Sequence, residues 1–176
     1  MIKYVLIGLI LAIGVVLVLA AMRPDTFRVE RTATINATPE EILPLIDSVK
    51  ANAQWQPYYH KDPAMKTVYA GPERGPGASV EFDGNSEVGS GRVTVLNETA
   101  PNKVVMRLEM LKPFSADNRV EFNLAQKGNA TDVTWSMEGA TPFFAKIIHL
   151  FFDMDKMVGT DFAAGLNNLK AIAEHS

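Results

Sequence analysis

The sequence predicts an α+β fold: a strongly curved antiparallel β-sheet wrapped around a long C-terminal helix, with two short helices after the first strand and an N-terminal transmembrane helix. Three observations predict it. Residues 1–22 form an apolar run with no charge between Lys3 and Arg23. From about residue 65 to residue 138, apolar side chains recur at every second position, the period of strands with one buried face. Over residues 141–174 the period becomes helical. Ile147, Phe151, Met154, Val158, Phe162, Leu166, Leu169 and Ile172 fall on one stripe, with Lys146, His149, Asp153, Lys156, Thr160, Asn167, Lys170 and Glu174 opposite.

The N-terminal run is long enough to cross a bilayer as a helix. A cleaved signal peptide is the rival reading, since Ala20 and Ala21 are small residues near its end. The apolar part is longer than a usual signal core and its positive flank is thin, which favours a retained single-pass anchor at residues 1–23. The domain would then occupy residues 24–176, on a side of the membrane that the flanking charges define poorly.

The first strand follows a short linker: Phe27, Val29, Ala33 and Ile35 alternate with Arg28, Glu30, Thr32 and Thr34, and Arg31 interrupts the apolar side. Thr38-Pro39-Glu40-Glu41 joins an N-cap, a proline at the first helical position and a capping-box glutamate. Ile42, Leu43, Leu45 and Ile46 supply the apolar face of that short helix. A second short helix is expected over residues 49–55, and residues 56–63 read as a loop rich in aromatic and polar groups. About six strands then follow as a meander, separated by turns at residues 71–77, 83–85, 100–102 and 112–113, with Gly128-Asn129 as a hairpin signal.

The closing helix is expected to start at Thr141 as N-cap with Pro142 behind it. Its first half is apolar nearly all round, through Phe143, Phe144, Ile147, Ile148, Leu150, Phe151 and Phe152. Only Lys146, His149 and Asp153 are left to face water there. A break is expected near residues 152–155. The surplus apolar surface suits a membrane contact, the lip of a cavity, or packing against the small helices or a partner chain.

Composition narrows the function classes. The 176 residues carry a net charge of −3 with no basic cluster, so a nucleic-acid footprint is absent. There is no cysteine, which excludes disulfide and thiol chemistry. The three histidines, at positions 60, 149 and 175, lack paired spacing, so neither a zinc site nor any other cofactor is expected.

The order of elements is that of a helix-grip fold. The chain resembles the polyketide cyclase/dehydrase and lipid-transport branch of the START-like (SRPBCC) superfamily. The resemblance runs through the strand at residues 27–35, Ala37-Thr38-Pro39-Glu40-Glu41, Trp55-Gln56-Pro57-Tyr58, Asp62-Pro63, Tyr69-Ala70-Gly71 and Gly84-Asn85. Val133-Thr134-Trp135 and the helix residues 154–156 and 165–170 complete it. It implies an apolar or amphipathic small molecule held between sheet and helix. These motifs are structural signposts and carry no catalytic signature.

The residues expected to line such a pocket are Trp55, Tyr58, Tyr69, Phe82, Val95, Met106, Leu108, Phe122, Trp135, Met137, Phe162 and Leu166. Each of these also suits a plain core. Gly159 and Gly165, costly inside a helix, mark places where the backbone approaches something closely. The expected partners are thus a hydrophobic small molecule or lipid, together with the membrane. Two other readings stand beside this one. In an enzyme of cyclase or dehydrase type, Tyr58, His60 and Asp62 are the candidate acid–base groups, although no nucleophile accompanies them. In a protein-interaction module, the Phe-rich start of the last helix would dock a partner.

Overall fold

The computed structural model describes residues 2–175. Helix α1 (Ile2–Ala21) precedes β1 (Thr26–Ile35), α2 (Pro39–Asp47), a 3₁₀ turn (Ala51–Gln54) and α3 (Pro57–Lys61). Six strands come next: β2 (Lys66–Ala70), β3 (Ser79–Asp83), β4 (Ser90–Thr99), β5 (Lys103–Lys112), β6 (Ala116–Lys127) and β7 (Ala130–Ala140). Helices α4 (Phe143–Phe151) and α5 (Met154–Ala173) end the chain. The strands form one antiparallel sheet in the order β1-β7-β6-β5-β4-β3-β2, a meander closed by the first strand.

Local chemistry explains most boundaries. At α2 the Thr38 amide and hydroxyl both donate to Glu41 Oε2, at 2.7 and 3.0 Å, and Pro39 opens the helix. Residues 56–63 are not the expected loop, because Pro57 starts the short helix α3. The helix expected over residues 49–55 shrinks to the single 3₁₀ turn. Its polar Asn52 is buried and uses Nδ2 to satisfy the carbonyls of Ile46 and Ser48, at 2.8 and 2.6 Å, that end α2.

The C-terminal helix is two helices. Phe152 leaves helical geometry, and Asp153 caps α5 by accepting from the Lys156 amide at 3.0 Å. The break at 152–153 lies within the expected segment. Its beginning differs from expectation: Pro142, not Thr141, is the N-cap of α4, and Thr141 is buried with its amide donating to the Asp25 carbonyl at 2.7 Å. Lys146 likewise does not face water. It is buried and reaches Asp25 Oδ1 at 2.6 Å, so the chain just after α1 is stitched to α4.

Helix α5 lies across β1 and is held at both ends. Lys170 Nζ donates to the Thr34 carbonyl at 2.6 Å and the Asn36 amide to Glu174 Oε1 at 2.7 Å. Lys61 of α3 meets Asp161 at 2.7 Å. The core beneath is one cluster in which Phe162, Leu166 and Leu169 meet the inward residues of the sheet.

Candidate functional site

The concave face of the sheet is built from rows of inward residues that cross several strands. One row runs Val95, Met106, Val120, Met137 and Val29, and all five side chains are buried. The next row, toward the β4–β5 and β6–β7 turns, holds Val104, Phe122 and Trp135, also buried, and finishes at Arg31 on β1. Aromatic rings fill the space above it. Trp135 stacks on Phe162 with centroids 3.9 Å apart and on Phe122 at 5.2 Å, while Trp55 meets Phe122 and Trp135 edge-on at 5.9 and 5.5 Å. Such edge and offset contacts strengthen a core beyond the area they bury.

The glycines of α5 belong to this packing. A Cβ on Gly165 would stand 2.8 Å from Trp135 Cζ3 and 3.1 Å from Pro57 Cδ. A Cβ on Gly159 would overlap the Arg31 guanidinium, which passes under the helix. Both positions are close approaches, and side chains of the domain occupy the room they leave. Trp55, Val95, Met106, Phe122, Trp135, Met137, Phe162 and Leu166 are therefore mutually packed core residues in this structure.

The row on the other side of Met106 is different. Val93, Leu108, Asn118, Gly139 and Phe27 lie opposite one another across β4, β5, β6, β7 and β1. Val93, Leu108, Gly139 and Phe27 are only half-buried although they point into the concave side, and Phe82 and Met110 beyond them are half-buried too. This is the mouth of the grip. Asn118 is its polar member, 6 % exposed, with Oδ1 buried and without a hydrogen-bond partner among the described residues. Gly139 leaves the room across which the Asn118 amide lies. A buried acceptor with no donor is costly unless something else supplies one. Trp135 Nε1, a buried donor deeper in the aromatic stack, likewise has no acceptor among the described residues.

Of the predicted lining, Leu108, Phe82 and Tyr58 are half-buried, Leu108 and Tyr58 against the core, and Tyr69 has 40 % of its surface exposed. Phe27, Val93, Asn118 and Gly139 were not among the expected site residues. Asn118 carried a signal, being an amide at the inward parity of the stripe that continues through Val120, Phe122 and Leu124.

Tyr58, His60 and Asp62 do not converge. Asp62 accepts the Ala64 amide at 3.1 Å through Oδ1 and the Asn85 amide at 2.7 Å through Oδ2, so it ties α3 to the β3–β4 turn. His60 stands exposed on α3. Burial, and then the nearby Asp161 carboxylate, push the Tyr58 hydroxyl well above its ordinary value. The Tyr59 hydroxyl is raised by burial and by its hydrogen bond with Tyr69. These are protonated phenols at neutral pH, suited to donating a hydrogen bond rather than taking a proton. Among the described residues, no group of three His, Cys, Asp or Glu side chains is placed to hold a metal ion.

A cavity of about 710 Å³ is lined by Arg28, Arg107, Asp117, Arg119 and Glu138 together with Phe27, Asn118 and Gly139 of the mouth row. Its charges are paired, Arg107 with Asp117 at 2.7 Å and Arg28 with Glu138 at 3.3 Å. Phe27, Leu96 and Met106 add apolar surface to its wall.

The sheet order, the helix lying across it and the apolar concave face define a START-like helix-grip protein. Residues 26–174 match the family described as polyketide cyclase / dehydrase and lipid transport, and the chain belongs to that family. No curated protein sequence matches. Solved structures share the fold at low identity. The di-domain ARO/CYC BexL from the BE-7585A biosynthetic pathway superposes with a TM-score of 0.63 at 15 % identity, over 89 % of this chain and 52 % of that one. Norcoclaurine synthase from Thalictrum flavum, in complex with dopamine and hydroxybenzaldehyde, gives 0.61 at 13 % identity, over 86 % of this chain and 88 % of that one. The Aha1 dimer from Colwellia psychrerythraea gives 0.59 at 18 % identity, over 84 % and 96 %.

Proposed function

We propose that this protein is anchored in a membrane by residues 1–23 and that its domain, residues 24–176, binds a hydrophobic small molecule or lipid at the mouth of the grip. The observation that carries the binding is the half-buried row Val93–Leu108–Asn118–Gly139–Phe27, apolar on both sides of an unpartnered amide oxygen. Ligand sites have this character: mostly apolar walls with few polar groups that set orientation. The aromatic stack of Trp55, Phe122, Trp135 and Phe162 forms the floor, and the ligand lies above it between β4–β7 and the helices. A molecule with a hydroxyl or amide N–H near one end would satisfy Asn118 Oδ1. Burial of its apolar surface would supply about 25 cal/mol per Å². The anchoring is supported by α1, whose most apolar window has a mean hydropathy of 2.9 and is almost entirely exposed. The separation of Tyr58, His60 and Asp62 offers no acid–base pair in support of a reaction.

Native mass spectrometry of the full chain released from detergent micelles, with organic extraction of the same preparation, tests the binding. A bound apolar molecule that disappears in Leu108→Trp supports the reading. An empty protein that also fails to take up a fluorescent fatty acid ends it.

A further inference from the structure

The largest exposed aromatic residues of the domain gather beside the end of α1. Phe143, Phe144 and Phe151 on α4 and Phe152 after it are 48 to 70 % exposed, and Phe114 in the β5–β6 turn is 62 % exposed. Phe114 and Phe144 bring their rings to 6.0 Å of each other, so turn and helix present one surface. A soluble surface carries single apolar side chains at low cost, but five phenylalanines in one place need a reason.

The position of α1 says what covers them. Helix α1 packs against α4, with Ala20 fully buried at that end, and only residues 22–25 separate it from β1. The Lys146–Asp25 ion pair and the Thr141-to-Asp25 hydrogen bond fix α4 to the same point. Any surface that α1 enters must therefore pass close to α4. Helix α4 contains no acidic residue, and its one lysine is turned inward and neutralised, so charge does not oppose contact with lipid. Such a short apolar helix with aromatic side chains suits the headgroup–acyl boundary.

We infer that α4 and the β5–β6 turn form a membrane-docking surface that seats the Phe114, Phe144 and Phe152 side chains in the lipid interface. The inference rests on the reading of α1 as an anchor. It also turns the mouth of the grip toward the bilayer, because Phe27 in the mouth row packs its ring edge-on against His149 of α4 at 6.3 Å. A hydrophobic ligand would then pass between lipid and protein beside α4 without crossing water.

The chain has no cysteine, so single substitutions give unique labelling sites. Spin labels would be placed on Phe114→Cys, Phe144→Cys and Phe152→Cys. Gly14→Cys would report the anchor, and Asn129→Cys in the β6–β7 hairpin would report water. Each full-length variant would be reconstituted in phosphatidylcholine vesicles containing phosphatidylglycerol. Collision with oxygen relative to a water-soluble nickel chelate would be read by electron paramagnetic resonance. The expected result is a severalfold higher oxygen-to-nickel ratio at 114, 144 and 152 than at 129. A lipid-buried Gly14 label with watery labels at 114, 144 and 152 overturns the docking and leaves the anchor standing. A watery Gly14 label overturns the anchor and the docking with it. Dipolar broadening between labels at 144 would assign the surface to a second copy of the chain and overturn the docking as well.

Discussion

Arg31 and Asp155 meet as a fork: Nη1 donates to Oδ1 at 3.0 Å and Nη2 to Oδ2 at 2.9 Å, while Nη2 also reaches the Asp155 carbonyl at 3.0 Å. The arginine that interrupts the apolar side of β1 thereby holds the first turn of α5. Its hydrogen bonds keep the Asp155 carboxyl below the ordinary value of 3.8. A depressed carboxylate stabilises the fold above its unfolded value and loses that contribution as pH falls through the folded one. Asp155→Asn is therefore expected to lower the thermal midpoint at pH 7, with the difference shrinking below about pH 3.8. Thermal melts of both proteins across that range check it.

Replacing Gly by Ala inside a helix ordinarily stabilises it by about 1 kcal/mol. Gly159→Ala is expected to do the opposite, because the new methyl overlaps the Arg31 guanidinium. Gly159→Ala in an Arg31→Ala background should recover most of the loss. A denaturant double-mutant cycle that finds the two changes additive would sink the contact.

The aromatic floor predicts a large and a small effect. Phe162→Ala removes a ring stacked 3.9 Å from Trp135, and truncations of this kind cost about 3–5 kcal/mol. Trp135→Phe keeps a ring in the stack and removes an indole N–H that has no partner, so its cost should be well below that of Phe162→Ala. Urea midpoints of the two variants rank them.

Glu98 on β4 sits against Asp47 of α2, whose carboxylate is buried and paired with Arg74 at 2.8 Å. Burial first, and then the Asp47 charge, raise the Glu98 carboxyl above 4.5. A raised acid binds its proton more tightly when folded, so stability is highest at low pH and declines as pH rises from the unfolded value through the folded one. Glu98→Gln should match the native protein near pH 4 and exceed it at pH 7. Chemical denaturation at the two pH values decides it.

Filling the mouth should block binding and leave the fold intact. Leu108→Trp places an indole in the half-buried row, and at least a tenfold weaker uptake of a fluorescent fatty acid is expected, about 1.4 kcal/mol. Asn118→Leu should spare simple alkanes and weaken ligands that carry a hydroxyl. Equal loss for both classes would show that Asn118 acts by shape alone.

The sheet was legible because one buried face imposes a period of two, and Val120, Phe122 and Leu124 display it plainly. Period defines the face a residue points to, but not its depth along the strand. Met106 and Leu108 share one parity, yet the first is sealed under the helices and the second lies at the mouth. Helix α3 escaped notice because five residues are too few for a helical period. Lys146 read as a solvent residue because its partner, Asp25, stands 121 positions earlier in the chain. The glycines of α5 announced a close approach, and only the fold reveals that Arg31 and Trp135 make it.

The four residues between α1 and β1 span at most about 14 Å when extended. With α1 as the proposed anchor, encounter of the domain with lipid becomes an intramolecular event, with an effective concentration in the range of millimolar. Contacts too feeble to recruit a free protein then suffice. Selection would act on how quickly the phenylalanine surface lets go as much as on how firmly it holds, and a ligand search confined to the plane of the membrane would follow.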